Sequence, residues 1–329
     1  MRAIIPVAGI GSRLRPHTHT QPKSLIPVAG EPILAHIIRP LIAVGVTEYT
    51  FIIGYLGDKI EEYITSKFPD IKANYVIQTT GKGIGHALWL AKEYIKEDEE
   101  TIIVLGDTIA DINYQELLSM KGTVLACKRV EDPRSFGVAE VNDKGIISVL
   151  VEKPSIPKSN MALVGIYKIS ESKKLIESLN YIIEHKIKTR NEYYLTDALM
   201  HMISLGVEMK LLPVDHWFDC GKPSVLLETN STLLRRNNPP YENNFENTII
   251  IPPVYIAKTA QIKNSIIGPE VSIGEEAIIN FSIIKNSIIG PSAHLENAIL
   301  HHSLIGNDAT FQGMQQSLNI GDSTEINFG

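Results

Sequence analysis

The sequence predicts an α/β domain on a mainly parallel sheet, followed by a short parallel β-helix. Three observations predict it. Apolar, strand-like runs alternate with helix-like stretches through the first 236 residues. The first apolar run, residues 3–7, opens directly into a glycine-containing loop, Gly9-Ile10-Gly11-Ser12-Arg13. From residue 254 on, a small or short residue recurs every five or six positions, with an apolar residue two places later.

Taken in order, residues 3–7 read as a buried parallel strand, because no polar residue marks a solvent face. Residues 32–44 read as a helix, with Pro32 in its first turn and Gly45 after its end. Pro40 inside it should kink or shorten it. Residues 50–53 form a second strand. Helix 56–68 follows, with Leu56, Ile60, Tyr63 and Ile64 on one face. Strand 73–77, helix 84–95 and strand 101–105 continue the alternation. Ligands of such sheets bind beyond the carboxyl ends of the strands, so the first loop and Gly106-Asp107 are expected to meet there. Residues 123–169 are β-rich, at 124–130, 138–141, 146–151 and 163–169. Helices at 173–185 and 194–205, a strand at 209–213 and a closing helix at 226–236 complete the domain. Asn237-Asn238-Pro239-Pro240 opens a linker over 237–253.

The β-helix is then expected over 254–329. Its small positions run from Val254, Ala260 and Ser265 to Ala309, eleven in register, and its apolar positions from Ile256, Ile262 and Ile267 to Phe311. Eleven short faces make roughly four triangular coils.

Composition narrows the function classes. Of 329 residues 44% are apolar and 21% charged, which suits a globular protein of about two domains. A net charge of −6 gives no basic footprint for nucleic acid. No apolar run is long enough to span a membrane, and no leader opens the chain, so a cytoplasmic protein is expected. Cys127 and Cys220 form neither a disulfide framework nor a zinc pattern.

Several residues carry candidate chemistry. Glycines let a backbone approach a ligand and turn its N–H groups toward phosphate. Arg13 and Lys23, ten residues apart, add two cations, so loop, arginine and lysine together suit a triphosphate. The loop is not a Walker loop, having no G-K-[ST], nor the dinucleotide fingerprint, lacking its third glycine. Gln78 ends a strand, and its amide can pair with a pyrimidine imide edge. Asp107 follows a strand and can offer hard oxygen to Mg²⁺, or simply cap a turn. Glu152 can accept from sugar hydroxyls and Lys153 can hold a phosphate as a point charge, though both also suit a solvated strand end. His86 reads as packing at a helix start. His294, His301 and His302 read as solvent-facing turns.

The string V-A-G-I-G-S-R-L-R-P, then Pro22-Lys23 and Leu25-Ile26-Pro27, resembles the signature of the sugar-1-phosphate nucleotidylyltransferases. It departs at Ala8, where many members have glycine, and at Ser12, which keeps the hydroxyl of the usual threonine. The resemblance implies a Rossmann-like nucleotidyltransferase domain over 1–236 and a left-handed β-helix of hexapeptide repeats over 254–329. It implies catalytic roles for Arg13 and Lys23, and nucleotide contacts at Ala8, Gly9, Gly11, Ser12, Gln78 and Gly83. L-G-D and W-x-D-x-G are similar to the family's metal motifs and imply Mg²⁺ on Asp107 and Asp219. The run E-K-P-S-I-P-K-S-N-M-A-L-V-G-I-Y resembles the sugar-phosphate segment of the glucose-1-phosphate thymidylyltransferases. It implies sugar-phosphate contacts at Gly137, Glu152, Lys153 and Leu163. Glu192 and Thr196-Asp197 fall in a family segment expected to be structural.

The implied partners are a nucleoside triphosphate, dTTP or UTP, and a sugar 1-phosphate. The family's dimers and tetramers imply a homo-oligomer. G-I-G-H-A, at residues 83–87, is also similar to uridylyltransferases, which keeps UTP open, with GTP and mannose 1-phosphate behind it. A non-catalytic regulatory subunit is the rival of another class. A second, acyl-transferring activity in the β-helix is a further alternative.

Overall fold

The structure is a computed structural model that describes residues 1–241 and 245–314. Residues 242–244 of the expected linker and 315–329 of the expected β-helix lie outside the described residues. The chain divides into two compact units, one of residues 1–27 and 31–226, the other of residues 28–30 and 227–329.

In the first unit, nine strands of the described residues form one sheet. Its path runs Ile147–Glu152, Gly137–Val141, Met161–Ile169, Thr101–Val104, Arg2–Pro6, Glu48–Ile53, Lys72–Ile77. Thr123–Arg129 joins Met161–Ile169, and Met209–Pro213 joins Thr123–Arg129. The half that carries the glycine loop is parallel, with Ile4 level with Thr50 on one side and Ile103 on the other. Met161–Ile169 runs antiparallel to its three neighbours. Ala3, Ile4 and Ile5 are fully buried, as an uninterrupted apolar strand with both faces covered should be. Helices Ile84–Leu90, Ser172–Glu184 and Leu195–Ser204 carry apolar faces into one core with the sheet.

Three local details differ from the sequence expectation. The helix Ile33–Ala43 runs one turn past Pro40 before it ends. The helix expected over 84–95 stops at Leu90, where the Ala91 N–H is shared between Ala87 and Leu88 carbonyls and the chain tightens into a 3₁₀ turn, Lys92–Tyr94. A short helix, Tyr114–Ser119, capped by the Asn113 side chain, is an addition.

The second unit contains the stack. Three parallel sheets of four strands each are seen among the described residues. One face stacks Ile249, Ile266, Ile283 and Ile299, so the coil repeats every 16 or 17 residues. This three-sided parallel stack fits a left-handed β-helix. Its first strand, Ile249–Ile250, precedes the boundary expected at residue 254. Nearly all the repeat's apolar positions fill the interior, with Ile267, Ile273, Ile279 and Ile284 fully buried, while Phe311, in the last described coil, is exposed. The small serines join coils. Ser282 Oγ donates to the Asn280 carbonyl at 2.7 Å and accepts the Ala298 N–H of the next coil at 3.1 Å. His294, His301 and His302 are exposed. No described helix is long and apolar enough to cross a membrane.

Candidate active site

The site lies where the parallel strands of the first unit end. Arg2–Pro6 gives way to the loop, and Gly11, at φ 67°, turns it into the 3₁₀ turn Ser12–Leu14. A methyl on Gly11 would lie 3.0 Å from Thr18 and 3.1 Å from Lys23, so glycine is needed twice over. The Gly11 carbonyl accepts from the Thr18 hydroxyl at 2.9 Å, which holds the turn. Gly106 permits the next contact. A methyl there would stand 2.3 Å from Val7, so only glycine lets the two strand ends meet. The Ala8 methyl, expected near the nucleotide, packs against bare Gly54, where an added methyl would be 3.0 Å away.

Two cavities open here. The first, about 480 Å³, is lined by Ala8, Gly9, Gly11, Ser12, Lys23, Gln78, Gly83 and Asp107. The second, about 390 Å³, is lined by Arg13, Gly137, Glu152, Leu163, Asp107 and Asp219. They share Ile84, Leu105, Asp107, Lys153 and Tyr194, so they adjoin. Every residue expected at the site from the sequence therefore lines one cavity or both.

Asp107 and Asp219 are brought together by a feature the sequence does not announce. Thr108–Ala110 and Trp217–Asp219 form a two-stranded antiparallel ribbon, with Asp219 opposite Thr108. The Cys220 N–H then bonds the Asp107 carbonyl at 3.0 Å. Lys23 Nζ sits between the two side chains, 2.5 Å from Asp107 Oδ2 and 3.9 Å from Asp219 Oδ1. Burial first, and then the neighbouring Asp107 charge, hold the Asp219 carboxyl above its ordinary range, while Lys23 and Arg13 pull it back. The Arg13 guanidinium lies over the Gly221 backbone, where a methyl would be 2.6 Å from it.

The second cavity is built around Glu152. Its carboxylate accepts from Thr196 Oγ1 at 3.1 Å, and burial raises its pKa. Gly137 makes room for this, since a methyl there would meet Thr196, Glu152 and Leu163 at 3.0, 3.1 and 3.3 Å. Lys153 turns inward on a left-handed backbone, φ 45°, with Nζ 3.1 Å from Tyr194 Oη and 4.8 Å above that ring. Arg190 holds the strained turn by donating to the Lys153 carbonyl at 2.7 Å.

Some lining residues escaped the sequence reading. Thr196 was expected to be structural, yet it orients Glu152. Glu192 lines the first cavity beside Tyr194. Trp217 lines the second, packed edge-on against Phe136, and its buried Nε1 has no partner among the described residues. Ser24, buried beside Lys23, has an Oγ equally without one. Both residues line a cavity, while the two atoms themselves are buried. Ser24 stood in the P-K-S string and Trp217 in W-x-D-x-G, so the signal was proximity to a motif.

The nucleotidyl transferase family model matches residues 2–236. The chain is 29% identical to a glucose-1-phosphate thymidylyltransferase of Streptomyces griseus, over 93% of this chain and 92% of that one. It is 38% identical over 76% of its length to the bifunctional protein GlmU of Methanocaldococcus jannaschii, spanning 59% of that protein's length. Among solved structures, a Bacillus anthracis protein assigned as a glucose-1-phosphate thymidylyltransferase, in complex with a sucrose, superposes with a TM-score of 0.61. That match is 30% identical and covers 74% of this chain and 98% of that one. With the family model matching more than half of its length, the chain belongs to the nucleotidyl transferase family.

Proposed function

We propose that this chain joins dTTP and glucose 1-phosphate to give dTDP-glucose and pyrophosphate. The observation that carries the reading is the pair of cavities sharing Asp107, one lined by the glycine loop and Lys23, the other by Glu152, Lys153 and Asp219. The first suits a nucleoside triphosphate and the second a sugar phosphate. Thymidylyl and glucosyl specificity rest on the Streptomyces and Bacillus relatives and on the E-K-P segment.

In this reaction an oxygen of the sugar phosphate attacks the α-phosphorus. A new P–O bond forms, the bond to the bridging oxygen breaks, and pyrophosphate leaves with that electron pair. The nucleophile is already an anion, so the protein's work is positioning and charge neutralisation. Gly9, Gly11 and Ser12 cradle the triphosphate. Lys23 moves from Asp107 to the α-phosphate as charge gathers there. Arg13 neutralises the pyrophosphate. Lys153, aimed by Tyr194 and its own strained backbone, holds the sugar phosphate. Glu152, Gly137 and Leu163 seat the sugar.

Asp107 and Asp219 fit a divalent cation. They are hard oxygen donors converging on one positive group, now the Lys23 ammonium, and their mutual repulsion marks a place that favours positive charge. Two carboxylates, with phosphates and water to complete the shell, suit Mg²⁺. When bound there, Mg²⁺ would neutralise charge on the nucleotide phosphates. Charged, phosphorylated substrates fit a cytoplasmic enzyme, and the β-helix offers a surface for homo-oligomer assembly.

The test is pyrophosphate release with Mg²⁺ and glucose 1-phosphate, offering dTTP, UTP, GTP, CTP and ATP separately. Release with dTTP well above the rest is expected. Preference for UTP would keep the mechanism and move the base. Silence with all five, repeated with mannose, galactose and N-acetylglucosamine 1-phosphates, would leave a binding or regulatory protein instead.

A further inference from the structure

Gln78 follows the strand Lys72–Ile77, and its N–H is pinned to the Ile53 carbonyl at 2.8 Å. Its side-chain Nε2 lies 3.2 Å from the Gly83 carbonyl oxygen and 3.2 Å from His86 Nδ1. These two contacts decide the orientation of the amide. A carbonyl oxygen only accepts, so the Gln78 atom facing Gly83 must be the nitrogen. With its nitrogen donating to both partners, the imidazole must accept at Nδ1 and carry its proton on Nε2. Burial, followed by the charge of Lys82, lowers the His86 pKa, in keeping with a neutral ring.

The clamp is itself held. The His86 ring lies between Trp89 and Tyr193, with centroids 6.0 and 6.4 Å away. Gly83 sits at φ 97°, and a methyl there would lie 2.4 Å from the Tyr193 carbonyl. Its own carbonyl also accepts from the Ala87 N–H at 3.1 Å. With both amide hydrogens committed, the oxygen is what the Gln78 amide offers to the first cavity, which Gln78 and Gly83 both line.

We propose that His86 is a specificity-positioning residue: with the Gly83 carbonyl it locks the Gln78 amide oxygen toward the base. The site then selects a base that brings a ring N–H, as thymine and uracil do at N3, over cytosine, whose N3 carries a lone pair. This rests on the nucleotide reading of the first cavity.

The experiment compares kcat/KM for dTTP and dCTP in the wild type, His86→Phe and His86→Asn. Phenylalanine keeps the ring packing and removes the acceptor. Asparagine removes the ring and restores an acceptor near Nδ1. We expect His86→Phe to lower the dTTP:dCTP ratio about tenfold, mainly through the KM for dTTP. His86→Asn should return it to within about threefold of the wild type. A wild-type ratio in His86→Phe, or equal loss in both variants, would overturn the inference and leave His86 as packing. Should His86→Phe not fold, His86→Ala takes its place with the same expectation. A wild type that releases pyrophosphate with dTTP while these outcomes fail sinks this inference alone. One that releases none with any base sinks the functional reading, and this inference with it.

Discussion

The cleft and the interior serines of the β-helix handle their polar groups differently. In the β-helix, Ser265, Ser282 and Ser287 each donate within their own coil and accept from the next. Polar atoms at those interior positions are satisfied by the repeat itself. In the cleft, Ser24 Oγ and Trp217 Nε1 are buried without partners among the described residues, and Lys153 is held in a left-handed backbone. Burial raises the pKa of both Glu152 and Asp219. The repeat is not free of either feature, since Asn286 Oδ1 is buried without a partner among the described residues and several corner residues are left-handed. What sets the cleft apart is buried carboxyls with raised pKa facing open cavities.

The largest effect should come from Lys23→Ala. If Lys23 meets the developing phosphate charge as proposed, its removal should lower kcat by about 10²–10³-fold, and near-normal turnover would remove Lys23 from the chemistry. The matching substitution in the other region is Ile284→Ala. Ile284 is fully buried among the stacked coils, and truncation should cost about 3 kcal/mol in denaturant unfolding while turnover per folded molecule stays unchanged. Equal losses of turnover in the two variants would break the contrast.

The same contrast governs pH. Glu152 has a folded pKa above its ordinary value of 4.5 because of burial, with Lys153 and Thr196 opposing the rise. A carboxyl raised on folding binds its proton more tightly in the folded chain, so stability falls as pH climbs through that range. Glu152→Gln should therefore raise Tm at neutral pH, by a gain on the order of 1 kcal/mol, while weakening sugar binding. The advantage should fade below about pH 4.5, where the carboxyl is neutral in both states. A gain that persisted unchanged at pH 4 would point to packing, not charge.

What the sequence made legible followed the same division. Local rules sufficed for the apolar strand with its glycine loop, and for a repeat whose period repeats its own evidence eleven times. The partners of the cleft were reachable because loops after parallel strands share one sheet edge. The ribbon that unites Asp107 and Asp219 was not legible, since its strands are three residues each and too short for periodicity. Thr196 sits inside an ordinary helix, and only the tertiary approach of Glu152 gives it a task. The His86 tautomer depends on Gly83 and Gln78 jointly, which spacing does not reveal. Ile249–Ile250 joins the stack before the clear repeat begins, under a segment whose asparagines and prolines read as linker.

The smallest effect tests completeness in the β-helix. Residues 247, 264, 281 and 297 occupy one corner of successive coils, and all four have positive φ, 47° at Asn247, 50° at Asn264, 48° at Phe281 and 54° at Asn297. Asparagine tolerates this conformation, and Asn247 Nδ2 donates to Asn264 Oδ1 at 3.1 Å, starting a ladder up the corner. Phe281 interrupts it with a bulky side chain that is 57% exposed. Relief of the left-handed strain and extension of the ladder both favour asparagine, against a modest loss of ring contact. Phe281→Asn should therefore stabilise the unit by about 0.5–1 kcal/mol in equilibrium unfolding and leave turnover untouched. A loss of stability instead would mean that the ring is held by a contact worth more than the strain it causes, and the repeat at that corner would be incomplete for a reason.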